Sequence, residues 1–206
     1  MAVVGALTLV ACGSDGSSDE ALSGVVFDPA PVVSGVALPS LTSPGADVEF
    51  AADPGDVMVV YFGFTNCPDV CPTTLFDLTV ALRLLDEDEP GSSDRVETVM
   101  VTVDPERDLD VLPGYIRSFV GDAEAAGTLD DDLLQAAAEP FGVTYDVRTL
   151  DDGTIEVDHS PFLYAVDSDG GLLLSWQFGA EKEVIAADLK ILLDRIDDEA
   201  ENGAVG

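Results

Sequence analysis

Residues 57–85 read VMVVYFGFTNCPDVCPTTLFDLTVALRLL and predict a buried strand that leads directly into a helix. The opening run, Val57 to Phe64, is continuously apolar, which is typical of a strand covered on both faces. Leucines then recur at helical spacing, so residues 73–85 are expected to form an amphipathic helix. A second apolar run at 96–103 supplies another strand, and this order predicts a right-handed parallel crossover.

The rest of the chain extends this pattern into one α/β domain. Helical patterns cover residues 109–120, 131–138 and 181–197. Strand patterns cover 162–166 and 172–178, and the intervening DSDGG predicts a hairpin turn. A parallel crossover followed by a hairpin and a final helix is the thioredoxin-like order. We therefore expect a thioredoxin-like fold, with a central mixed sheet flanked by helices and an insertion relative to minimal thioredoxin.

Composition limits the classes of partner. A chain of 206 residues that is 47% apolar can bury one good-sized core. Its eight basic and 41 acidic residues give a net charge of -33, so nucleic acid is excluded because phosphate backbones would be repelled. The acids are spread along the chain, which favours solubility or salt adaptation over a specific basic partner. A negative field does favour the approach of cations.

The N-terminus resembles a bacterial lipoprotein signal, because a short apolar run ends at Leu9-Val10-Ala11-Cys12 and changes abruptly to Gly, Ser and Asp. On this interpretation residues 1–11 are removed and Cys12 takes the lipid, which anchors the protein at the extracytoplasmic face of the bacterial cell membrane. The expected organisation is then a flexible tether at 12–39, the domain at 40–200 and an acidic, flexible tail at 201–206. Disulfides can form and persist at that location.

Cys67 and Cys71 lie just past the end of the first predicted strand, where open α/β sheets usually bind ligands. Pro72 suits the first turn of the following helix, which puts Cys71 at a helix N-terminus, where the dipole favours a thiolate. The pair is therefore a structural bridge, a redox couple or a pair of metal ligands. The spacing is also compatible with a Cys67–Cys71 disulfide in an oxidised form.

His159 is the single histidine of the chain, and only the fold can bring it to the cysteines. Two soft thiolates with an imidazole suit Cu(I), and nitrogen combined with thiolate also suits Cu(II). Structural zinc needs four protein ligands, and a c-type haem needs C-x-x-C-H, which is absent. His159 precedes the strand at 162–166, and in thioredoxin-like folds the loop at that place packs beside the cysteine motif.

Three segments together carry a specific resemblance: TNCPDVCPTTL at 65–75, VDPERD at 103–108 and DHSPFLYAVDSDG at 158–170. In order and separation they resemble the signature segments of the Sco/SenC/PrrC family over about residues 40–197. The resemblance implies a membrane-anchored metallochaperone, not an enzyme, that binds copper and delivers it to the binuclear copper A centre of cytochrome c oxidase subunit II. Cys67, Cys71 and His159 match the family's copper ligands.

The resemblance also implies partners beyond the oxidase, namely other copper chaperones or thiol reductants. An alternative function is an extracytoplasmic thiol-disulfide oxidoreductase that uses Cys67 and Cys71 to reduce partner cysteines. The acidic neighbours Asp69 and Asp77 oppose thiolate formation and favour a cation, and the thioredoxin C-x-x-C spacing is missing. These features favour copper binding over thiol exchange.

Other residues near these motifs receive simpler interpretations. Asp104 is expected to cap the short helix that Pro105 begins, and Asp69 is expected to be a solvated loop acid. Met58 and Met100 lie in predicted strands and are interpreted as core. Pro161 departs from the family's common pattern directly after His159-Ser160, which affects the loop geometry and permits a cis bond there.

Overall fold

The computed structural model describes residues 21–203. The strands are β1 (Val25–Val26), β2 (Leu38–Pro39), β3 (Asp47–Val48), β4 (Val57–Gly63), β5 (Val96–Thr102), β6 (Glu124–Ala126), β7 (Tyr145–Thr149), β8 (Ile155–His159), β9 (Phe162–Val166) and β10 (Leu172–Gln177). The α-helices are α1 (Val70–Asp88), α2 (Pro105–Asp108), α3 (Leu112–Arg117), α4 (Asp131–Ala138) and α5 (Lys182–Gly203). Short 3-10 turns occupy Ser93–Arg95 and Glu139–Phe141.

A six-stranded mixed sheet in the order β1-β10-β9-β4-β5-β6 forms the centre of the fold. β4 runs parallel to β5, which runs parallel to β6, whereas β9 is antiparallel to both β4 and β10. All seven residues of β4 are buried, as its continuous apolar sequence predicts for a central strand. Helices α1 and α5 pack against each other beside this sheet. The predicted α/β class, with its parallel crossover and C-terminal hairpin, is confirmed.

Two predicted helices have different bounds in the structure. Helix α1 begins at Val70, three residues before the predicted start, because Pro72 is accommodated in its first turn. Of the helix predicted at 109–120, only the part at α3 is helical, and the short α2 ends just before this segment. Pro113 has no backbone N–H to donate, so it fits only near the start of α3 and prevents a continuous helix through this segment.

The segment at 21–39, which the sequence analysis assigned to a flexible tether, lies on the domain. β1 pairs with β10 and forms one edge of the central sheet, and the side chains of Val33 and Leu38 are completely buried. The carboxylate of Asp188 on α5 accepts hydrogen bonds from the amides of Ser23 and Gly24, at 2.8 and 2.9 Å. The apolar residues of this segment bury surface that a solvated tether would expose, so the domain begins well before residue 40.

The remaining predictions of the domain organisation concern the two ends of the chain. The signal at 1–11 and the lipid site Cys12 lie outside the described residues. At the C-terminus, helix α5 continues through Gly203, so residues 201–203 of the predicted flexible tail are helical. No helix within residues 21–203 is long and apolar enough to span a bilayer.

Candidate metal centre

The turn after β4 holds both cysteines at the carboxyl end of the central strand. The amide of Cys67 donates to the carbonyl of Phe64 at 3.4 Å, which closes the turn. The amide of Cys71, in the first turn of α1, donates to the Sγ atom of Cys67 at 3.2 Å. The first turn of a helix has amides without a helical acceptor, and here one of them is directed at sulfur. Both thiols are free, with Cys67 partly exposed and Cys71 completely buried.

His159 ends β8 and brings its imidazole to the cysteine pair. Its Nε2 atom lies 3.5 Å from the Sγ atom of Cys71. Its Nδ1 atom lies 3.1 Å from the carbonyl oxygen of Ser160, so Nδ1 carries the proton and donates to that carbonyl. The Nε2 lone pair therefore faces the sulfur. The ring also packs edge-on against Phe64, with centroids 5.7 Å apart, and this contact fixes the ring plane.

Burial and the contact between Nδ1 and the Ser160 carbonyl together determine the protonation state of the His159 imidazole. Burial lowers the pKa of His159 below its ordinary value, and the backbone contacts at Ser160 and Phe62 only partly oppose this shift. The neutral imidazole is the form that binds a metal ion, and a hydrogen bond at one ring nitrogen orients the other. His159 is therefore in its ligand form at neutral pH.

Burial has the opposite consequence for Cys71, because the charged form of a thiol is its anion. Burial raises the pKa of Cys71 to about 12, although the nearby hydroxyl of Tyr61 and the backbone at Phe64 favour the thiolate. The predicted effect of the helix N-terminus on this thiol is thus outweighed by burial. A cation placed between Cys71 and His159 would supply the charge compensation that the surrounding protein lacks.

The three donor atoms of Cys67, Cys71 and His159 all lie within 4.8 Å of one another. Metal–sulfur bonds of about 2.3 Å and metal–nitrogen bonds of about 2.0 Å keep ligands around one ion within roughly 4 Å of each other in a trigonal arrangement. A contraction of about 1 Å therefore suffices to close the three donors on one ion. Among residues 21–203, this is the one such group of cysteine, histidine and acidic residues.

Asp108 is a residue that the sequence analysis did not recognise as part of this centre. Its fully buried carboxylate accepts hydrogen bonds from the amide and hydroxyl of Thr65, at 2.9 and 2.5 Å, and from the hydroxyl of Thr102 at 2.8 Å. Thr65 lies two residues before Cys67. Asp108 thus ties the turn that holds the cysteines to the end of β5.

The neighbouring Asp104 has another contact than the one predicted. It occupies the position before α2, but its side chain makes no capping hydrogen bond. Its carboxylate instead pairs with the guanidinium of Arg107 and is 3% exposed. A buried carboxylate with a cation one helical turn away forms the ion pair in preference to the cap. The VDPERD segment therefore buttresses the cysteine turn through Asp108, with Asp104 held by its own arginine.

The structure also shows the positions of Asp69, Met58, Met100 and Pro161. Asp69 is exposed and precedes α1, as expected for a solvated loop acid, and its side chain makes no cap to the helix. Met58 and Met100 are buried in β4 and β5, as predicted. The Ser160–Pro161 bond is trans, since the cis peptide found within residues 21–203 is Asp28–Pro29. Pro161 therefore leaves His159 beside the cysteines without a cis bond.

Comparison with known proteins gives one consistent family. The profile of the SCO1/SenC family matches residues 41–194. An SCO2-like protein of Rickettsia felis is 31% identical over 141 residues, which cover 66% of this chain and 65% of the relative. The chain spans less than two thirds of the length of the curated relatives it matches.

Solved structures agree in fold. The copper-bound structure of ScoI from Bradyrhizobium japonicum is 29% identical, has a TM-score of 0.62 and covers 83% of this chain and 99% of its own. The solution structure of apo Sco1 from Thermus thermophilus is 30% identical, has a TM-score of 0.67 and covers 85% of this chain and 99% of its own. These likenesses confirm the thioredoxin-like fold, and the profile covers most of the domain. The chain belongs to the SCO1/SenC family.

Proposed function

We propose that this protein binds one copper ion through the sulfurs of Cys67 and Cys71 and the Nε2 atom of His159. The observation that carries the proposal is the convergence of two thiols and one neutral imidazole, whose donor atoms lie within 4.8 Å of one another. Thiolate and imidazole donors select Cu(I), and the mixed set also accommodates Cu(II). A related ScoI structure contains copper, which supports the choice of metal.

The copper is proposed to be cargo, delivered to the binuclear copper A centre of cytochrome c oxidase subunit II. Sco proteins are a family of cytochrome c oxidase assembly proteins, which supports a role in that assembly. The partial exposure of Cys67 beside the buried Cys71 gives a partner's ligands a point of attack on the ion. Cys12 is proposed to carry the lipid that holds the domain at the extracytoplasmic face of the membrane, close to such a partner.

The cysteine pair also supports a second candidate function, thiol-disulfide exchange. The two sulfurs lie within 4.8 Å of each other, close enough for a disulfide after a small movement. Oxidation of the two thiols would form one S–S bond and release two protons and two electrons to a partner disulfide, which would be reduced to two thiols. The same oxidation would remove both sulfur ligands, so copper and the disulfide compete. The high pKa of Cys71 opposes its use as an attacking thiolate, which favours copper binding.

A copper titration with matched variants tests the proposal. The chain with Cys12→Ser keeps Cys67 and Cys71 as its only thiols and is titrated under reducing conditions with Cu(I), and separately with Cu(II). We expect one copper per chain, weaker binding and a lost Cu(II) spectrum for His159→Ala, and unchanged binding for Glu156→Gln, which alters an exposed residue of the same strand. If His159→Ala bound both copper states like the parent while reducing a partner disulfide, the oxidoreductase would be the better assignment.

The anchor is tested independently of copper. We expect mass spectrometry of the membrane fraction to find an N-terminal peptide that begins at Cys12 and carries a lipid. An unmodified N-terminus upstream of Cys12 would remove the anchor from the proposal and leave the copper site unaffected.

A further inference from the structure

Tyr61 presents a buried hydroxyl to the metal centre without any partner of its own. The side chain belongs to the central strand β4 and is completely buried. Its ring packs edge-on against the imidazole of His159, with centroids 6.1 Å apart. Its hydroxyl oxygen has almost no accessible surface and makes no hydrogen bond to any residue of 21–203. A buried hydroxyl in this condition is uncommon in folded proteins, because neither water nor protein compensates its desolvation.

The acceptor that we consider for this hydroxyl is the sulfur of Cys71, which in the metal-free protein is a protonated thiol. The Tyr61 ring packs on the imidazole whose Nε2 atom lies 3.5 Å from the Cys71 sulfur, which places the phenol at the same centre. Burial is the largest cause that raises the pKa of Tyr61, and the adjacent Cys71 raises it further. A protonated thiol accepts hydrogen bonds weakly, which agrees with the absence of a bond in the structure. A thiolate is a charged acceptor and binds donors much more strongly. Thr74, the other polar neighbour, donates its one hydroxyl hydrogen to the carbonyl of Val70 at 2.9 Å, so it does not donate to the phenol oxygen.

The strand holds the Tyr61 ring so that the hydroxyl cannot easily turn elsewhere. Gly63, two residues on, leaves the space that the ring uses: a Cβ atom there would lie 2.6 Å from Cε1 of Tyr61. With Gly63 on one side and the imidazole of His159 on another, the hydroxyl remains beside Cys71. The arrangement therefore holds a buried donor beside a candidate metal ligand before any ion binds.

We propose that Tyr61 is a tuning residue for the copper site, whose hydroxyl donates a hydrogen bond to the Cys71 thiolate once a metal ion has replaced the thiol proton. This inference rests on the proposed copper-binding function. The hydrogen bond withdraws electron density from the sulfur, and hydrogen bonds to a ligating sulfur adjust the redox behaviour of the metal. In the metal-free protein the hydroxyl gains nothing, so its contribution appears only in the loaded form.

The test is Tyr61→Phe, which removes one oxygen and keeps the ring. It is made in the Cys12→Ser chain and compared with Tyr164→Phe, a buried tyrosine of the adjacent strand β9. Three quantities are measured: the urea midpoint of the metal-free protein, the Cu(I) affinity by competition with a chromogenic chelator, and the energy of the sulfur-to-Cu(II) charge-transfer band. For Tyr61→Phe we expect an unchanged or higher midpoint, an affinity lower by about tenfold or more, and a band at lower energy.

The control and the contrary outcomes separate this inference from the function on which it rests. Tyr164→Phe is expected to leave the Cu(I) affinity and the band unchanged. An unaltered affinity and band in Tyr61→Phe would overturn the tuning role while the parent's copper binding still stood. A lower midpoint with an unmoved band would also overturn it, because the hydroxyl would then be structural. A parent chain that bound no copper would reject the proposed function itself.

Discussion

Replacing Asp108 by alanine is expected to destabilise the metal-free protein by about 3 kcal/mol. The substitution removes the acceptor of three hydrogen bonds, two from Thr65 and one from Thr102, in a place with no solvent exposure. A buried donor left without a partner costs about 1–3 kcal/mol. The Thr102 hydroxyl is buried and Thr65 is partly buried, so we take about 1 kcal/mol for each of the three donors, the low end of that range. Asp108→Asn keeps one acceptor oxygen and is expected to cost about half as much.

Urea denaturation of the metal-free Cys12→Ser chain measures this loss. With a slope of about 2 kcal/mol per M, a loss of about 3 kcal/mol lowers the midpoint by about 1.5 M. Asp110→Ala, an exposed acid in the same segment, is the control and is expected to stay within about 0.3 M of the parent. A midpoint for Asp108→Ala within about 0.5 M of the parent would refute the reasoning, because the three hydrogen bonds would then contribute little.

Three further predictions concern Asp188, Cys71 and Gly63. Asp188→Ala removes the acceptor of the Ser23 and Gly24 amides and of the Trp176 indole N–H at 2.8 Å. Amide hydrogen exchange at residues 21–27 should therefore become faster, while exchange in β4 is much less affected; equal acceleration in both would contradict a local role. Because the pKa of Cys71 is raised to about 12, the metal-free protein should lose stability as the pH rises from about 9 towards 12, and in Cys71→Ser this loss, measured by urea midpoints, should be smaller. Gly63→Ala places a Cβ atom against the Tyr61 ring and should weaken Cu(I) binding as well as lower the urea midpoint; a normal affinity would show that the ring position does not matter to the site.

The central part of the fold was predictable because its signals are local. β4 is continuously apolar, and β9 and α4 occur at the predicted bounds, since each is a short pattern bounded by turn residues. The β7–β8 hairpin was missed, although the sequence contains its signal. Apolar and polar residues alternate through 145–149 and 155–159, and Gly153 adopts a φ of 86° in the turn between them. Most side chains of that hairpin are exposed, so its pattern lacks the apolar density of the core strands.

The three side chains that converge at the candidate site were predictable from residue types and family resemblance, but the residues around them were not. Asp108 and Tyr61 act through burial, and neither the acid nor the tyrosine has a sequence pattern that distinguishes it from an ordinary helix acid or strand residue. The effect of burial on the pKa of Cys71 was not predictable for the same reason, because the helix terminus is a local feature whereas burial depends on the whole fold. Long-range burial is the information that a single sequence lacks.

The candidate ligands come from two different parts of the fold, since His159 lies on the β7–β8 hairpin. The cysteines belong to the turn between the central strand and α1, whereas β7 and β8 pair only with each other within the part of the chain that the structure describes. Thr144 and Ser160 fasten the base of the hairpin through an amide-to-carbonyl bond of 3.0 Å. A two-stranded sheet opens at far lower free energy than a protein core. Under the proposed copper-binding function, we therefore expect an ion held across this seam to exchange its nitrogen ligand for a partner's ligand first, while both sulfurs remain in place and the domain stays folded.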